Sequence, residues 1–502
     1  MERIAHPDFR SKIMSAAEAA QLIQPGHNVG MSGFTGAGYP KEVPVALAQR
    51  IRGVQATGAE FRIGVWTGAS TAPELDGALA SANAVQLRLP YQSDPVAREM
   101  INNGSMDYID LHLSHVAPMV WEGFFGPLDT AVVEVTGVTE DGDLIPASSV
   151  GNNKTWLDLA DQIILEVNEW QSMDLHGMHD IYYGTELPPN RLPIQMTRPT
   201  DRIGRTTFRV DPAKVKAVVR THAPDRNSEM KEPDTISRQI AGHFLDFLEH
   251  EARKGRLPDN LLPLQSGVGN IANAVLSGLD DGPFRNLYAY TEVIQDGMLD
   301  LLDSGTVTMA SASSFALSPD AAERMNDQAA HYREKIILRP QEISNHPEVI
   351  RRLGVIACNG LVEADIYGNV NSTHVGGSRI MNGIGGSGDF ARNSFISCFV
   401  TPSTAKGGAI SAIVPMVSHV DHTEHDVSAI ATEWGLADLR GLNPKRRAQK
   451  IIDTCAHPDY RPALQEYFDR SQRLANGQHT PHDLATALSW QHRFLTEGTM
   501  RS

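Results

Sequence analysis

The chain has 502 residues with ordinary hydrophobic and charged contents, 41% and 21%, so we expect a globular protein of two or three domains. Its formal net charge of −16 disfavours nucleic acid and anionic membranes as partners, since both attract basic surfaces. There is no apolar run of membrane-spanning length, no signal-peptide core at the N-terminus and no CxxC pair among the three cysteines. These features make the cytoplasm the expected location.

The N-terminal half alternates strand-like and helix-like segments. A capping box formed by Ser15 and Glu18 starts a helix that Pro25-Gly26 ends. Apolar runs and helical patterns then follow each other, and this β-loop-α rhythm indicates a mainly parallel sheet with helices on its faces. Strands are predicted at 27–31, 61–66, 131–135 and 162–167, and a helix at 41–51.

A polar, proline-bearing segment at 221–234 predicts a linker between two α/β domains, 1–222 and 223–502. Beyond it the alternation resumes, beginning with a helix capped at Asp234, and the chain finishes in a helical C-terminal tail. Strands are predicted at 261–265 and 287–291, and helices from Pro444 onward.

A weak internal repeat relates the two halves. Segments 131–153 and 360–386 each run from an apolar strand through a turn and a short strand to a Gly-Asn loop. Two unrelated hairpins would give the same pattern. Duplication of one α/β domain would instead give two similar domains with mainly parallel sheets, with the active site in the cleft between them.

Glycine clusters follow strand-like runs at four places. Glycine at such positions lets backbone N–H groups approach a ligand, but tight turns are the favoured explanation of any single cluster. Within the second cluster, Asn270 can begin a helix whose first-turn N–H groups point outward. Neither a dinucleotide-binding fingerprint nor a P-loop is present. The clusters occupy 32–40, 265–273, 382–390 and 405–408.

The segment HVDHTEHD, residues 419–426, holds three histidines and two aspartates. Such side chains can bind zinc. No cysteine lies near them and the spacing matches no common motif, so a polar turn after an apolar strand is the favoured interpretation. We therefore predict no metal site.

Glu292 follows the predicted strand 287–291 and precedes a Gln-Asp-Gly turn. A lone carboxylate at the end of a strand is either a surface feature or part of an active site. No G-x-S-x-G elbow or Ser-His-Asp order competes with it. Glu292 is therefore the best candidate for a nucleophile or general base.

Five long motifs occur in one order along nearly the whole chain: GVGNIANAV, TEVIQDGM, EADIYGNVNST, NGIGGSGDFAR and TPSTAKGG. Together they resemble the acetyl-CoA hydrolase/transferase family of class I CoA-transferases, and most of all its bacterial succinyl-CoA:acetate branch. One small departure is Thr291, where relatives often have serine; the hydroxyl is kept.

The resemblance implies that Glu292 is a covalent nucleophile forming a glutamyl-CoA thioester, with succinyl-CoA and acetate as substrates. Acyl-CoA would be a substrate, with no tightly bound cofactor. The backbone N–H groups of Val268 and Gly386 would stabilise the oxyanion. Coenzyme A would contact Gly267, Val268, Gly269, Asn270, Ile271, Asn382, Gly386 and Lys406.

The resemblance further implies catalytic roles for Asn345 and Glu433, a substrate pocket with Ser70 and Arg226, and a homodimer. Within the family, an acetyl-CoA hydrolase and a transferase for propionate or 4-hydroxybutyrate remain open. A non-catalytic CoA sensor is disfavoured, because a sensor does not need a carboxylate at the thioester.

Overall fold

The computed structural model describes residues 2–227 and 232–501. These residues divide into two compact units. The first comprises Met1–Met230, Tyr288–Asp303 and Val307–Leu353, and the second comprises Lys231–Leu287, Ser304–Thr306 and Gly354–Ser502. The residue ranges of these units differ from those of the predicted domains, 1–222 and 223–502. The predicted division stays a prediction. Within the described ranges, no helix is both long enough and apolar enough to span a membrane.

The N-terminal part of the first unit alternates strands with helices, as the sequence pattern predicts. Short 3-10 helices lie at Ala20–Leu22 and Met173–Leu175, and a π-type turn at Pro73–Gly77. The strands are β1 Asn28–Met31, β2 Ile63–Trp66, β3 Val85–Leu89, β4 Asp107–Tyr108, β5 Thr130–Val138, β6 Leu144–Pro146, β7 Gln162–Asn168 and β8 Val215–Thr221. The helices are α1 Pro7–Arg10, α2 Ala16–Ala19, α3 Val43–Gln55, α4 Ala78–Ser81, α5 Pro95–Asn102, α6 Leu113–Trp121 and α7 Asn153–Leu159.

These strands form a sheet with the order β4-β3-β2-β1-β5-β7-β8, in which neighbouring strands are parallel. Only β6 departs from this, because it pairs antiparallel with β5. Helix α3 places Val43, Leu47 and Ile51 on one face at a four-residue spacing, and this face packs in the core against β1 and β2. The predicted α/β class with a mainly parallel sheet is therefore confirmed.

The middle of the chain continues the alternation. Helix α8 begins after Asp234, whose side chain accepts from the Ser237 N–H at 2.7 Å, so the predicted cap is confirmed. The elements are α8 Thr235–Arg253, β9 Leu264–Ser266, α9 Asn270–Asp281, β10 Leu287–Tyr290, β11 Val293–Gln295, α10 Asp296–Ser304, β12 Val307–Ala312, β13 Ser314–Ala316, α11 Pro319–Asp327, α12 Ala329–Tyr332, β14 Ile336–Leu338, α13 Gln341–Ser344 and α14 Pro347–Leu353.

The C-terminal part ends in helices, as predicted. Short 3-10 helices lie at Lys406–Gly408 and Glu424–Asp426. The elements are β15 Ile356–Gly360, β16 Glu363–Asp365, β17 Val370–Asn371, β18 His374–Val375, β19 Arg379–Ile380, α15 Ser387–Asn393, β20 Ile396–Val400, β21 Thr404–Ala405, β22 Ile410–Ser411, β23 Ile413–Val414, β24 Ala429–Thr432, β25 Gly435–Asp438, α16 Pro444–Cys455, α17 Arg461–Leu474 and α18 Ser489–Glu497.

In the second unit, strands β9, β15, β20, β24 and β25 lie in that order. They are parallel except for the antiparallel edge pair β24 and β25. In the first unit, β10, β12 and β14 lie side by side, and β11 pairs in parallel with β13. Each unit thus contains a set of parallel strands.

One local prediction is wrong. The Gln-Asp-Gly turn after Glu292 is absent from the described chain, because Gln295 ends β11 and Asp296 starts α10. The linker at 221–234 stays a prediction; in this segment Thr221 ends β8 and Asp225 is buried. Residues 228–231 of that segment lie outside the described residues.

The three cysteines of the sequence lie buried in the second unit and none forms a disulfide. Cys358 and Cys398 face each other in the register of β15 and β20, and Cys455 ends α16. Burial raises the pKa of the Cys358 and Cys455 thiols to about 12. These thiols are therefore protonated at neutral pH.

Candidate active site

Glu292 lies two positions beyond the end of β10, and β11 begins at the next residue. Just before it, the N–H of Thr291 donates to the Ser311 carbonyl of β12 at 3.0 Å. The main-chain carbonyl of Glu292 accepts from the N–H groups of Ser313, at 2.8 Å, and Ser314, at 3.2 Å. These bonds fix the backbone that carries the carboxylate, as positioning of a nucleophile requires.

Strand β13 anchors the first glycine loop, residues 32–40, beside this backbone. The Ser314 hydroxyl donates to the Phe34 carbonyl at 2.7 Å. The Thr35 hydroxyl donates to the Phe315 carbonyl at 2.6 Å. Because β13 pairs with β11, the loop is fixed next to the strand that follows the glutamate.

The glycines of the first glycine loop are needed for close packing. A Cβ added at Gly36 would stand 1.9 Å from the carbonyl oxygen of Arg226. One added at Gly38 would stand 2.3 Å from the Ser149 hydroxyl. Contacts this short exclude any side chain, so tight packing accounts for this cluster.

Arg226, which follows β8 in the chain, is bonded to the same loop. Its N–H donates to the Gly36 carbonyl at 2.8 Å, and its exposed guanidinium pairs with Glu74 at 2.5 Å. Glu74 also accepts from the Tyr39 hydroxyl at 3.1 Å. Partial burial opposes ionisation of Glu74, but the hydrogen bonds from Arg226 and Tyr39 hold the pKa of Glu74 below its ordinary value.

A buried ionic cluster, which we did not predict from the sequence, holds the residue before Arg226. The Lys41 ammonium contacts Glu134 at 2.6 Å and Asp225 at 3.1 Å, and all three side chains are at most 5% exposed. Asp225 also accepts from the Gly38 N–H at 3.1 Å. The signal in the sequence was a glutamate inside the otherwise apolar strand β5, since a buried carboxylate needs a partner.

Ser70 lies in a buried polar network at the end of β2. Its hydroxyl donates to Gln92 at 2.9 Å and accepts from the Ser93 N–H at 3.1 Å. The neighbouring Thr71 N–H donates to Asp76 at 2.6 Å. These hydrogen bonds stabilise the turn at residues 67–71.

Asn345 is fully buried at the C-terminal end of α13. Its carbonyl oxygen accepts from the Ser344 hydroxyl at 2.9 Å, but its NH₂ group has no hydrogen-bond partner in the described part of the chain. Gln341 fixes the helix by donating to the main-chain carbonyls of Gly151 and Leu113, both at 3.0 Å. A buried donor of this kind is suited to a ligand oxygen.

The second glycine loop, residues 266–270, belongs to the second unit and joins β9 to α9. Val268 is 63% exposed. Gly269 has a φ of +127°, and a Cβ added there would meet nothing within 4 Å. The residue before α9 has no side chain to cap it, and helix N-termini are a common kind of anion-binding site.

Gly386 in the second unit similarly precedes a helix, α15, at its N-cap position. Asn382 lies four residues earlier in the same loop. The Ser387 hydroxyl donates to the Ile384 carbonyl at 2.7 Å and lies 3.3 Å from the ring of His422. The loop is thus shaped by its own backbone and by a buried histidine.

Family models match both parts of this chain. One, described as the acetyl-CoA hydrolase/transferase N-terminal domain, matches residues 1–220, and its C-terminal counterpart matches residues 322–468. The chain belongs to the acetyl-CoA hydrolase/transferase family. The expected family resemblance is confirmed.

Relatives in this family carry different names. A succinyl-CoA:acetate CoA-transferase of Clostridium kluyveri is 47% identical over 100% of this chain and 92% of that protein. A propanoyl-CoA:succinate CoA transferase of Escherichia coli is 45% identical, covering 97% and 98%. An acetyl-CoA hydrolase of Schizosaccharomyces pombe is 44% identical, covering 99% and 98%. The family is thus one of CoA-transferases and hydrolases.

Solved structures show the same fold. RipA from Yersinia pestis is 23% identical with a TM-score of 0.71, covering 93% of this chain and 99% of its own. A 4-hydroxybutyrate CoA-transferase from Porphyromonas gingivalis is also 23% identical, with a TM-score of 0.63 and coverage of 92% and 98%. The predicted α/β class is confirmed by these likenesses.

Lys406 and Glu433, two further positions expected from the family, lie in the second unit. The exposed Lys406 ammonium stands 4.8 Å from the centroid of the Phe494 ring. Glu433 accepts from the N–H of Ser403 at 2.8 Å and from its hydroxyl at 2.5 Å. Glu433 therefore fixes the turn that leads to Lys406.

The segment HVDHTEHD contains a short 3-10 helix at Glu424–Asp426. No group of histidine, cysteine and acidic residues within 2–227 and 232–501 could hold a metal. Asp421 instead accepts from the Ser372 N–H at 2.6 Å and the Thr373 hydroxyl at 2.9 Å. His422 is 2% exposed and lies 4.7 Å from the Phe399 ring.

The candidate residues are distributed over both compact units. Within the first, main-chain hydrogen bonds lead from Glu292 through Ser313 and the 150–151 turn to the helix that ends at Asn345. Hydrogen bonds through the first glycine loop add Arg226 to this group. The second unit carries Gly267–Ile271, Asn382, Gly386, Lys406 and Glu433. The roles of all these residues stay predictions.

Proposed function

We propose that this member of the acetyl-CoA hydrolase/transferase family moves CoA from succinyl-CoA to acetate, yielding acetyl-CoA and succinate. The observation that supports this most is the placement of Glu292 at the end of β10, on a backbone held by two N–H groups. The full-length likeness to the Clostridium kluyveri succinyl-CoA:acetate CoA-transferase supports the choice of substrates.

In the proposed reaction the Glu292 carboxylate attacks the thioester carbonyl of succinyl-CoA, and the C–S bond breaks to give a mixed anhydride and CoA thiolate. The thiolate then attacks the glutamyl carbonyl, which releases succinate and leaves a glutamyl-CoA thioester. Acetate reverses these two steps and leaves as acetyl-CoA. A thioester is exchanged for a thioester, so no other energy source is required.

Carboxylates are weak nucleophiles, so the tetrahedral oxyanion needs strong stabilisation. We assign this role to the backbone N–H groups of Val268 and Gly386, each next to the start of a helix. One such donor contributes roughly 2.7–4 kcal/mol in comparable enzymes. The exposure of Val268 and the open space at Gly269 support the first assignment.

Coenzyme A is polyanionic, whereas this chain has a net charge of −16, so local cations and backbone donors must bind it. We propose that Gly267–Ile271, Asn382, Gly386 and Lys406 do so. The buried NH₂ group of Asn345 supports its proposed role as a donor to a substrate oxygen.

Glu433, Ser70 and Arg226 enter the proposal as residues that shape the pocket. Their contacts support positioning roles. Glu433 accepts from the Ser403 N–H before Lys406, and the Arg226 N–H donates to the Gly36 carbonyl of the first glycine loop. We also propose a homodimer in the cytoplasm that uses acyl-CoA as a substrate and needs no tightly bound cofactor.

Hydrolysis of acetyl-CoA is the second candidate, favoured by the Schizosaccharomyces pombe relative of that name. Both reactions can share the glutamyl-CoA thioester and differ only in what attacks it next. A transferase must exclude water, present at about 55 M, and hold a carboxylate in its place. The propanoyl-CoA:succinate relative makes propionate an alternative acceptor.

Replacing Glu292 tests the proposal. Glu292→Gln keeps the shape of the side chain but removes the nucleophile, so we expect the rate of CoA transfer to fall at least about a thousandfold. The control variant Glu323→Gln, at an exposed position of α11, should retain the native rate. The native enzyme incubated with succinyl-CoA alone should show a CoA adduct on the Glu292 peptide by mass spectrometry. Retained activity in Glu292→Gln, or an adduct on a cysteine, would contradict the assignment.

Steady-state kinetics separates transferase from hydrolase. Parallel double-reciprocal lines are expected when succinyl-CoA and acetate are varied, with CoA release much slower when acetate is omitted. Acetyl-CoA cleavage at the same rate with and without an acceptor acid would make the protein a hydrolase.

A further inference from the structure

The first unit contains a cavity of about 260 Å³ outside the candidate site residues. Helix α6, the 185–194 segment and the chain at 342–347 enclose it. Most of its wall is apolar, provided by side chains such as Met119, Trp121 and Ile194. Cavities of about 150 Å³ with apolar walls already bind a benzene ring, so this one has room for a ring with a substituent.

One carboxylate in the cavity wall is buried and accepts no hydrogen bond from another residue of the described chain. Glu342 is 2% exposed, and no other residue of the described chain donates a hydrogen bond to either of its oxygens. A different buried carboxylate in the same unit, Glu166, accepts from the N–H groups of Lys41, Glu42 and Val43. An uncompensated buried acid destabilises a fold, so Glu342 is suited to a ligand rather than to structure.

Other titratable groups face Glu342 from neighbouring elements. Lys154 on α7 attracts it, but this ammonium pairs with Asp158 at 3.0 Å. Burial raises the pKa of Glu342 to about 7, although the Lys154 charge opposes the shift. The remaining charged side chains of the wall, Glu186 and Arg191, are exposed.

The histidines of the cavity are neutral near pH 7. Burial, together with the charges of Arg191 and Arg352, lowers the pKa of His346 to about 4. Burial also lowers the pKa of His115. The Nδ1 atom of His346 has no hydrogen-bond partner among the residues described. The cavity thus combines one buried acid, neutral imidazoles and apolar walls, with Glu186 and Arg191 exposed at its wall.

We propose that this cavity, the Glu342 cavity, binds a small ligand with a primary ammonium group on an apolar, ring-sized body. The ammonium group donates to the Glu342 carboxylate, and the ring packs against Trp121, Met119 and Ile194. His346 can accept a second N–H of the ammonium. An anionic ligand would place its charge against the only buried acid of the cavity wall described here, so the arrangement selects against anions.

Binding must then depend on pH. The ammonium favours ionised Glu342, so complex formation releases a proton wherever the free protein holds the acid protonated. With a pKa of about 7, the ionised fraction rises about tenfold between pH 6 and pH 8. The affinity for an ammonium ligand should rise by about the same factor over this interval.

Calorimetric titration of the full-length protein with benzylamine tests this inference. Benzyl alcohol serves as the neutral probe of similar shape, and phenylacetate as the anionic probe. We expect benzylamine to bind at least tenfold more tightly than either at pH 8, as an ion-paired hydrogen bond gives, and about tenfold less tightly at pH 6. Absence of benzylamine binding, equal binding of benzyl alcohol, or tighter binding of phenylacetate would overturn the proposal.

Variants locate the binding. Glu342→Gln should bind benzylamine no more tightly than benzyl alcohol and lose the pH dependence. Thr185→Trp fills the cavity from the 185–194 segment and should abolish binding of both, whereas Glu140→Gln at an exposed turn should match the native protein. Undiminished binding in Glu342→Gln or Thr185→Trp contradicts the site. If Glu342→Gln does not fold, the probe series on the native protein and the Thr185→Trp result still decide.

Discussion

The two glycine loops have similar compositions but opposite surroundings. In the first glycine loop, a Cβ at Gly36 would lie 1.9 Å from a backbone oxygen and one at Gly38 2.3 Å from a side-chain oxygen. In the second, a Cβ at Gly269 would meet nothing within 4 Å, and Val268 is 63% exposed. The same residue type therefore lets chain segments pack closely in one loop and leaves the backbone accessible in the other.

This difference separates a loop that is held by close packing from one whose backbone is accessible. A crowded glycine is needed by its neighbours whether or not anything binds. Close packing does not explain an open glycine before a helix that has no side-chain cap, and we propose that its conformation and the nearby N–H groups serve function. The surroundings of a Cβ thus indicate which glycine cluster should affect activity and which should affect folding.

Among changes in the two glycine loops, the largest expected effect concerns the N–H group of Val268. Val268→Pro removes this donor, so kcat should fall about 100- to 1,000-fold, equivalent to roughly 2.7–4 kcal/mol of transition-state stabilisation. Val268→Ala keeps the N–H and should lose at most a few-fold. Steady-state assays of CoA transfer provide the measurement, and equal losses in the two variants would show that the N–H is not the active feature.

Next in size is the effect of Gly36→Ala on folding. The added methyl group must displace the Arg226 backbone, so the free energy of unfolding should fall by about 3 kcal/mol. At Gly53, an exposed position of α3, an added Cβ would have no neighbour within 4 Å. Gly53→Ala should therefore raise the free energy of unfolding by about 0.5–1 kcal/mol. Urea denaturation measures both. A Gly36→Ala protein as stable as the native one would remove the packing explanation for the first glycine loop.

A smaller effect is expected at Gly269, where the strain arises only from the backbone. With φ at +127°, any L-residue should lower the free energy of unfolding by about 1–3 kcal/mol. Since the space around it is open, Gly269→Ala and Gly269→Leu should differ by less than about 0.5 kcal/mol. A much larger loss for leucine, measured by the same denaturation, would mean that this loop is crowded as well.

Local sequence signals predicted several elements of the fold correctly. The Ser15–Glu18 capping box and the Asp234 cap are both present, because such signals need only neighbouring residues. The prediction of a turn after Glu292 was wrong because Gln295 pairs with Ala316 in β13. This partner is distant in the sequence, so no local pattern reveals it. Strand β8, at the edge of its sheet, was also not predicted, although only Lys216 and Arg220 among its residues are exposed.

The candidate site depended on resemblance more than on pattern. The position of Glu292 after a strand could be predicted from the sequence, and the structure agrees. The buried cluster of Lys41, Glu134 and Asp225 could not, because its members come from distant segments and only the fold pairs them. The same holds for the Glu342 cavity, whose acid lies in a short helix without any sequence motif.

The three buried cysteines have a practical consequence for an enzyme that handles a thiol. A thiol with a raised pKa forms little thiolate at neutral pH, and only the thiolate exchanges with thioesters and disulfides or reacts with alkylating reagents. The three cysteines of the folded protein should therefore react little with acyl thioesters or with CoA disulfides. Iodoacetamide should leave the native enzyme unlabelled and active, so that any covalent CoA recovered from it reports on a carboxylate rather than a cysteine.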